Sequence, residues 1–207
     1  MCNDYANHVP YDEYRQAFSE TRIPVRFPDA APNLQPRDDI WPTDTAPVIR
    51  AADDGPEFVQ MPWGFPAARP KGPPVINMRG ENRRFSKGRC LVPVSWFYEF
   101  TGKKYPKTKW RFGKPDEDWF CIAGLWRPVN DGAAFTMLTV DPGPDVAPYH
   151  NRQVVVLERK DWASWLDLTL SAEHLVRPAP GGTLVVHQWA AGKEEAQEGK
   201  ARKTLAG

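Results

Sequence analysis

"GRCLVPVSWFYEF", Gly88 to Phe100, is the longest apolar run in the first half of this 207-residue chain. Valine and aromatic side chains fill it, which favours extended backbone on a buried surface, so it reads as a buried pair of strands. One residue is out of character. Glu99 sits between Tyr98 and Phe100, where strand alternation would place an apolar or an exposed side chain. A carboxyl in such surroundings has its charged form disfavoured and its pKa raised, which suits a general acid at neutral pH. The alternative is an outward-facing strand residue.

Working outward, "APVIRA" (46–51) and "EFVQMPWGF" (57–65) read as short strands. "ARPKGPP" breaks the chain before "VINMRGE" (75–81). "DWFCIAGLWRPV" (118–129), "AAFTMLTVD" (133–141), "RQVVVLE" (152–158) and "TLVVHQW" (183–189) are β-type. Tyr11, Tyr14 and Phe18 recur at helical spacing after Pro10, which predicts one early amphipathic helix. "ERKDWASWLD" (158–167) predicts a second, short one with Trp162 and Trp165 on one side. The 22 prolines argue against long helices and for strands joined by turns, and "RFPDAAPNLQPRDDIWPTD" (26–44) reads as proline-rich connection. The expected fold is α+β: one domain over 1–190 with a mostly antiparallel, curved, barrel-like sheet and a few short helices. A disordered charged tail is expected over 191–207.

Net charge is only +1, so no overall field advertises a nucleic-acid partner. Local charge says more. From Arg79 to Lys114 there are eleven basic and two acidic residues, interleaved with Trp96, Phe97, Tyr98, Phe100, Tyr105 and Trp110. Cations for phosphates and rings for bases are what a single-stranded nucleic-acid groove needs. The alternative is a solvated loop plus core aromatics. Three cysteines, Cys2, Cys90 and Cys121, none at metal-site spacing, disfavour a disulfide framework or a zinc cage. No signal peptide or membrane span is read, so the cytoplasm is the expected compartment.

The chain opens Met1-Cys2. Removal of an initiator methionine is favoured before a small side chain, and the chain would then begin with Cys2, bearing a thiol and a free amine on adjacent carbons. No internal cysteine offers that pair. An incidental Cys2 is the alternative. His150, in a loop just before "VVVL", and Asn77, after an apolar pair, are further candidates for proton transfer and hydrogen bonding.

These segments, in order, resemble the SOS response-associated peptidases, also known as abasic-site-processing proteins, over roughly residues 1–190. Cys2 is the most specific mark. "PTDTAPVIR" (42–50) looks like the family's Pro-Thr…Pro-Val-Ile-Arg segment, "PWGF" (62–65) like Trp-Gly-Leu, and "VINMRGE" like Ile-Asn-Ala-Arg-x-Glu. "RCLVPVSWFYEF" is similar to Arg-Cys-Leu-Ile-Pro-x-x-Gly-Phe-Tyr-Glu-Trp. "FTMLTVDPGPDVAPYHNRQVVVL" (135–157) is similar to the stretch ending His-x-Arg-Met-Pro-Val-Ile-Leu.

The resemblance implies an enzyme that cross-links to abasic sites in single-stranded DNA, including single-strand/double-strand junctions, with no metal or organic cofactor. It implies a catalytic set of Cys2 (the nucleophile, after loss of Met1), Asn77, Glu99 and His150. DNA contacts are implied at Arg79, Pro42, Trp63, Phe100, Thr139 and Arg152, and a monomer is expected. The chain departs from the pattern at Asp4, an acid where an arginine would touch phosphate. It also departs at Phe100, a tryptophan in the pattern; in "FPAARP" (65–70), where a tryptophan is missing; and at Gln153-Val154, which replace Met-Pro behind the histidine. Two rival functions remain at this stage: a cysteine peptidase or self-processing N-terminal-nucleophile hydrolase, and a non-catalytic single-stranded DNA binder.

Overall fold

A computed structural model describes residues 2–67, 69–130 and 132–193. The chain forms β1 (Tyr5–Asn7), α1 (Tyr11–Glu20), β2 (Arg37–Ile40), β3 (Thr45–Arg50), β4 (Glu57–Pro62) and β5 (Asn77–Arg79). The stretch from Gly88 then supplies β6 (Arg89–Val94) and β7 (Trp96–Thr101). After these come β8 (Thr108–Gly113), β9 (Phe120–Val129), β10 (Gly132–Val140), β11 (Gln153–Val154), β12 (Val156–Leu157), α2 (Trp162–Leu166) and β13 (Val185–Ala190).

The expected strand pair is present, and its two halves belong to different sheets. β6 lies in an eight-stranded sheet ordered β11-β10-β9-β6-β3-β4, with β12 beside β9 and β5 parallel to β10. β7 lies in a five-stranded sheet ordered β13-β8-β7-β1-β2. Ser95 is the corner. Its N–H donates to Ala6 O at 2.8 Å, and its hydroxyl accepts from His8 N at 3.0 Å. A strand that switches sheets at a bend folds one sheet over the other and encloses a core between them. Both strand orders leave free edges, so the curved sheets do not close into a barrel.

The core falls into two clusters. Trp162 and Trp165 of α2 pack with Tyr14 and Phe18 of α1 over one face of the eight-stranded sheet. Cys2, Tyr5, Trp63, Phe97, Phe112, Phe135 and Met137 fill the space between the sheets. Side chains of this size contribute about 1.5–3 kcal/mol each when fully buried. Arg89 is wholly buried in support of the first cluster. Its guanidinium donates to the carbonyls of Ser164 in the last turn of α2 and of Asp167 and Leu170 in the turn that follows.

Four strands lie where none was expected, among them the three-residue β5 at Asn77–Arg79. β2 occupies the "proline-rich connection" and pairs with β1; β8 occupies the basic run and pairs with β7. β1 is too short to carry a period. The early helix is present, with Tyr14, Ala17 and Phe18 buried. The second helix is present and short. The expected disordered tail lies, over residues 194–207, outside the described residues.

Candidate functional site

Cys2, although second in the chain, is not frayed; it is 1% exposed. The backbone that follows it is laid against β7, where Tyr98 N donates to Asp4 O at 3.0 Å. Asn77 opens β5, and its amide Nδ2 donates to the Cys2 carbonyl at 2.6 Å. Its Oδ1 is buried without a partner among the described residues. β5 can bring Asn77 there because it runs parallel to β10, with Asn77 opposite Met137. Trp63 Nε1 holds the residue before Asn77 by donating to Ile76 O at 3.0 Å. The turn after Trp63 needs Gly64: its φ is +121°, and a Cβ there would come within 2.9 Å of Pro74 Cβ.

Glu99 projects from β7 to the inner side with Phe97 and is 3% exposed. Burial lifts its carboxyl from 4.5 to about 7, opposed in part by the positive charge of the amino terminus. His150 ends the 141–150 loop, which Gln153 pins by accepting from Gly143 N at 2.8 Å. His150 Nε2 lies 3.9 Å from Glu99 Oε2. Its Nδ1 lies 2.9 Å from Arg152 N and 3.0 Å from Arg152 O, so the backbone offers that nitrogen a donor and an acceptor. Either protonation state is therefore satisfied. Burial, then the amino-terminal charge, lowers the imidazole below 6.5. Burial, then the charge of Glu99, pushes the Cys2 thiol well up. The site thus combines a neutral thiol, a carboxyl poised near neutrality and an imidazole inclined to be neutral. No group of three or more His, Cys, Asp or Glu among the described residues could hold a metal ion.

Beside Asn77 opens a groove of about 760 Å³, lined by Arg79, Arg83, Arg127, Met78 and Phe65. Arg79 and Arg83 are exposed, and Arg127 lies 4.3 Å over the Phe65 ring. Phe65 thus keeps an aromatic wall in the stretch that lacks the pattern's tryptophan.

Several expected DNA contacts have other places. Trp63 is fully buried between Tyr5 and Phe135, so its ring offers no open face and it supports Asn77 from behind. Thr139 is buried, and Arg152 is turned inward, paired with Glu81 and Asp141 and donating to Thr139 O at 2.8 Å. Pro42 and Phe100 remain half-buried at the surface. Asp4 is buried, lies 2.6 Å from Lys109 Nζ and is raised by its burial to about 7. Lys109 also meets Asp39 at 2.6 Å, so the positive charge nearest Cys2 on this side is already matched by acids.

The basic run is not one stripe. Arg89 is core, while Lys109 and Lys114 are held in ion pairs. Arg79 and Arg83 reach the groove, and Arg111 lies elsewhere, on the outer face of β8. The pairings of Lys109 and Asp4, and the support that Trp63 gives Asn77, were missed in the sequence. They depend on register between strands far apart in the chain, which the sequence does not show.

The fold and site define a single-domain α+β protein with a buried cysteine at its second position, bonded through its carbonyl to an asparagine and lying by a glutamate that faces a histidine. The family model for the SOS response associated peptidase (SRAP) matches residues 1–191, and the chain belongs to that family. Among curated relatives, it is 27% identical over 221 residues to the abasic site processing protein YMR114C of Saccharomyces cerevisiae, covering 86% of this chain. The chain spans about 59% of that yeast protein's length. It is 23% identical over 186 residues to the abasic site processing protein YobE of Bacillus subtilis, covering 81% of this chain and 82% of that one. A solved Bordetella bronchiseptica protein shares the fold at a TM-score of 0.71 and 23% identity, covering 91% of this chain and 100% of that chain. A Bacteroides thetaiotaomicron protein does so at 0.71 and 17%, covering 90% and 91%. No described helix is long and apolar enough to cross a membrane.

Proposed function

We propose that this protein traps abasic sites in single-stranded DNA by forming a thiazolidine between the exposed sugar aldehyde and Cys2, after Met1 has been removed. The observation that carries this reading is the placement of Asn77 and Glu99 at Cys2, with His150 beside Glu99. Asn77 is bonded to the Cys2 carbonyl, Glu99 is close enough to perturb the Cys2 thiol, and His150 lies 3.9 Å from Glu99. The relatives named as abasic site processing proteins agree with it.

A free α-amine titrates near 7.7–8.0, so a useful fraction is neutral near pH 7 and adds to the C1′ aldehyde. Glu99, raised to about 7, donates its proton to the departing hydroxyl, releasing water and leaving an imine. The thiol of the same residue then adds to the imine carbon, and its proton passes to the nitrogen through Glu99. Ring closure within one residue has a high effective molarity. Asn77 holds the Cys2 backbone in place for both attacks. His150 exchanges protons with Glu99 and, by microscopic reversibility, serves ring opening when the link is released. The Arg79–Arg83–Arg127 groove receives phosphates beside the lesion.

A peptidase acting through a Cys2 thiolate is less supported, because burial and Glu99 both hold the thiol protonated. The test is a denaturing gel with abasic and intact oligonucleotides, with loss of Met1 confirmed by intact mass. A heat- and SDS-stable band with abasic DNA only, lost in Cys2→Ala, is expected. No band overturns the proposal.

A further inference from the structure

The outer face of the five-stranded sheet carries a feature that the site does not use. Strand alternation sends Trp96, Tyr98 and Phe100 of β7 to the side opposite Glu99, next to Lys109 and Arg111 of β8. The Arg111 guanidinium lies 4.8 Å from the Trp96 ring and 5.2 Å from the Trp189 ring. The two indoles are 6.5 Å apart at 36°. Trp189 is 50% exposed, and Trp41, at the Lys109 end of the same face, is 45% exposed. Arg111 has no acid partner among the described residues, unlike Lys109 and Lys114. Trp96 stands where the family pattern has glycine; its Nε1 donates to the buried Tyr98 hydroxyl at 2.6 Å and its ring meets His8 edge-on at 4.6 Å, so the indole is held in one orientation at the surface. Half-exposed tryptophans grouped around a guanidinium with no acid partner among the described residues mark a recognition surface rather than incidental exposure.

We propose that Trp96, Arg111 and Trp189 form a stacking platform for single-stranded DNA flanking the lesion; this rests on the reading that the protein engages such DNA. Chemistry selects the occupant: a guanidinium without an acid partner among the described residues meets a phosphate, while indole faces accept bases of any sequence; Asp116, Glu117 and Asp118, which line the pocket beyond Trp96 and Arg111, bound the platform on that side. Continuity supports it too. The face runs along β7 from Phe100, the neighbour of Glu99, to Trp96, and Lys109 on it contacts Asp4, two residues from Cys2. A strand leaving the site past Phe100 therefore meets Lys109 and then the platform. It is separate from the Arg79–Arg83–Arg127 groove, so the two surfaces would hold opposite flanks.

The experiment uses the full chain with Cys2→Ala, so that binding is read apart from any covalent step. The probes are fluorescent, lesion-free oligothymidylates of graded length. Trp189→Ala should weaken binding about tenfold to long probes, and not to the shortest probe that binds. Arg111→Ala should weaken long-probe binding and lower the slope of log affinity against log salt by about 0.7. Both side chains are partly exposed, and near-ultraviolet circular dichroism confirms folding; Trp189→Phe, which keeps a ring, should restore most of the binding. Unchanged affinity in both variants, or an equal loss at every length, overturns the platform. So does competition by polyglutamate as strong as by oligothymidylate, which would mark a docking site for acidic proteins. If wild type gives no adduct yet the variants behave as stated, the platform stands and the covalent reading falls.

Discussion

Replacing Glu99 by glutamine should make the protein more stable at alkaline pH while slowing its chemistry. The folded state holds the Glu99 proton up to about pH 7, whereas an unfolded chain releases it near 4.5. Across that window the folded state binds more protons, so wild-type stability falls as pH rises. Each pKa unit is worth about 1.4 kcal/mol, so this one carboxyl costs the wild type about 3 kcal/mol between pH 4 and pH 8. Glutamine has the same shape and no titration, so Glu99→Gln escapes that loss. Urea unfolding of both proteins at pH 4, 6 and 8 isolates the effect, since all other groups titrate alike. The difference in unfolding free energy should grow with pH in favour of Glu99→Gln and level off above about pH 8. Parallel pH dependences would refute the reasoning and return Glu99 to an ordinary, solvated carboxylate.

Adduct formation by wild type should follow a bell-shaped pH profile with its maximum between 7 and 8. The α-amine must be neutral, which favours higher pH, and Glu99 must be protonated, which favours pH below about 7; an initial-rate series in denaturing gels reads it. Arg79→Ala should weaken single-stranded DNA binding and lower its salt slope by about 0.7, with the rate at saturating DNA little changed, as fluorescence anisotropy and single-turnover rates would show. Asn77→Ala removes the 2.6 Å bond to the Cys2 carbonyl and should cut the adduct rate by at least tenfold while sparing DNA affinity.

The strand pair at 88–100, the helix after Pro10 and the anomaly of Glu99 were legible because each shows in local alternation or spacing. That β6 and β7 enter different sheets was not, since the corner at Ser95 is held by Ala6 and His8 from the chain's start. β2 and β8 were hidden by proline and by charge. Arg37, Asp39 and Lys109 look like solvated loop residues until register places Lys109 between Asp4 and Asp39. Among the site residues, Asn77, Glu99 and His150 were named by type and resemblance, but bringing Asn77 to the Cys2 carbonyl depends on the parallel pairing of β5 with β10. Trp63 shows the limit of carrying a role over by motif. Its motif is present, yet its ring is buried behind the residue it supports.

The central claim is that nitrogen and sulfur of one terminal residue, Cys2, make the link. Its most direct test is the yield of heat-stable adduct on abasic single-stranded DNA for wild type and for a variant with an uncleaved residue before Cys2, each with its terminus verified by intact mass. The extended variant keeps the thiol, Asn77, Glu99 and His150 but has no free amine at position 2. The account predicts adduct for wild type and none for the extension beyond a thiohemiacetal that heat reverses. Equal, heat-stable cross-linking by both would contradict it and place the nucleophile elsewhere in the chain.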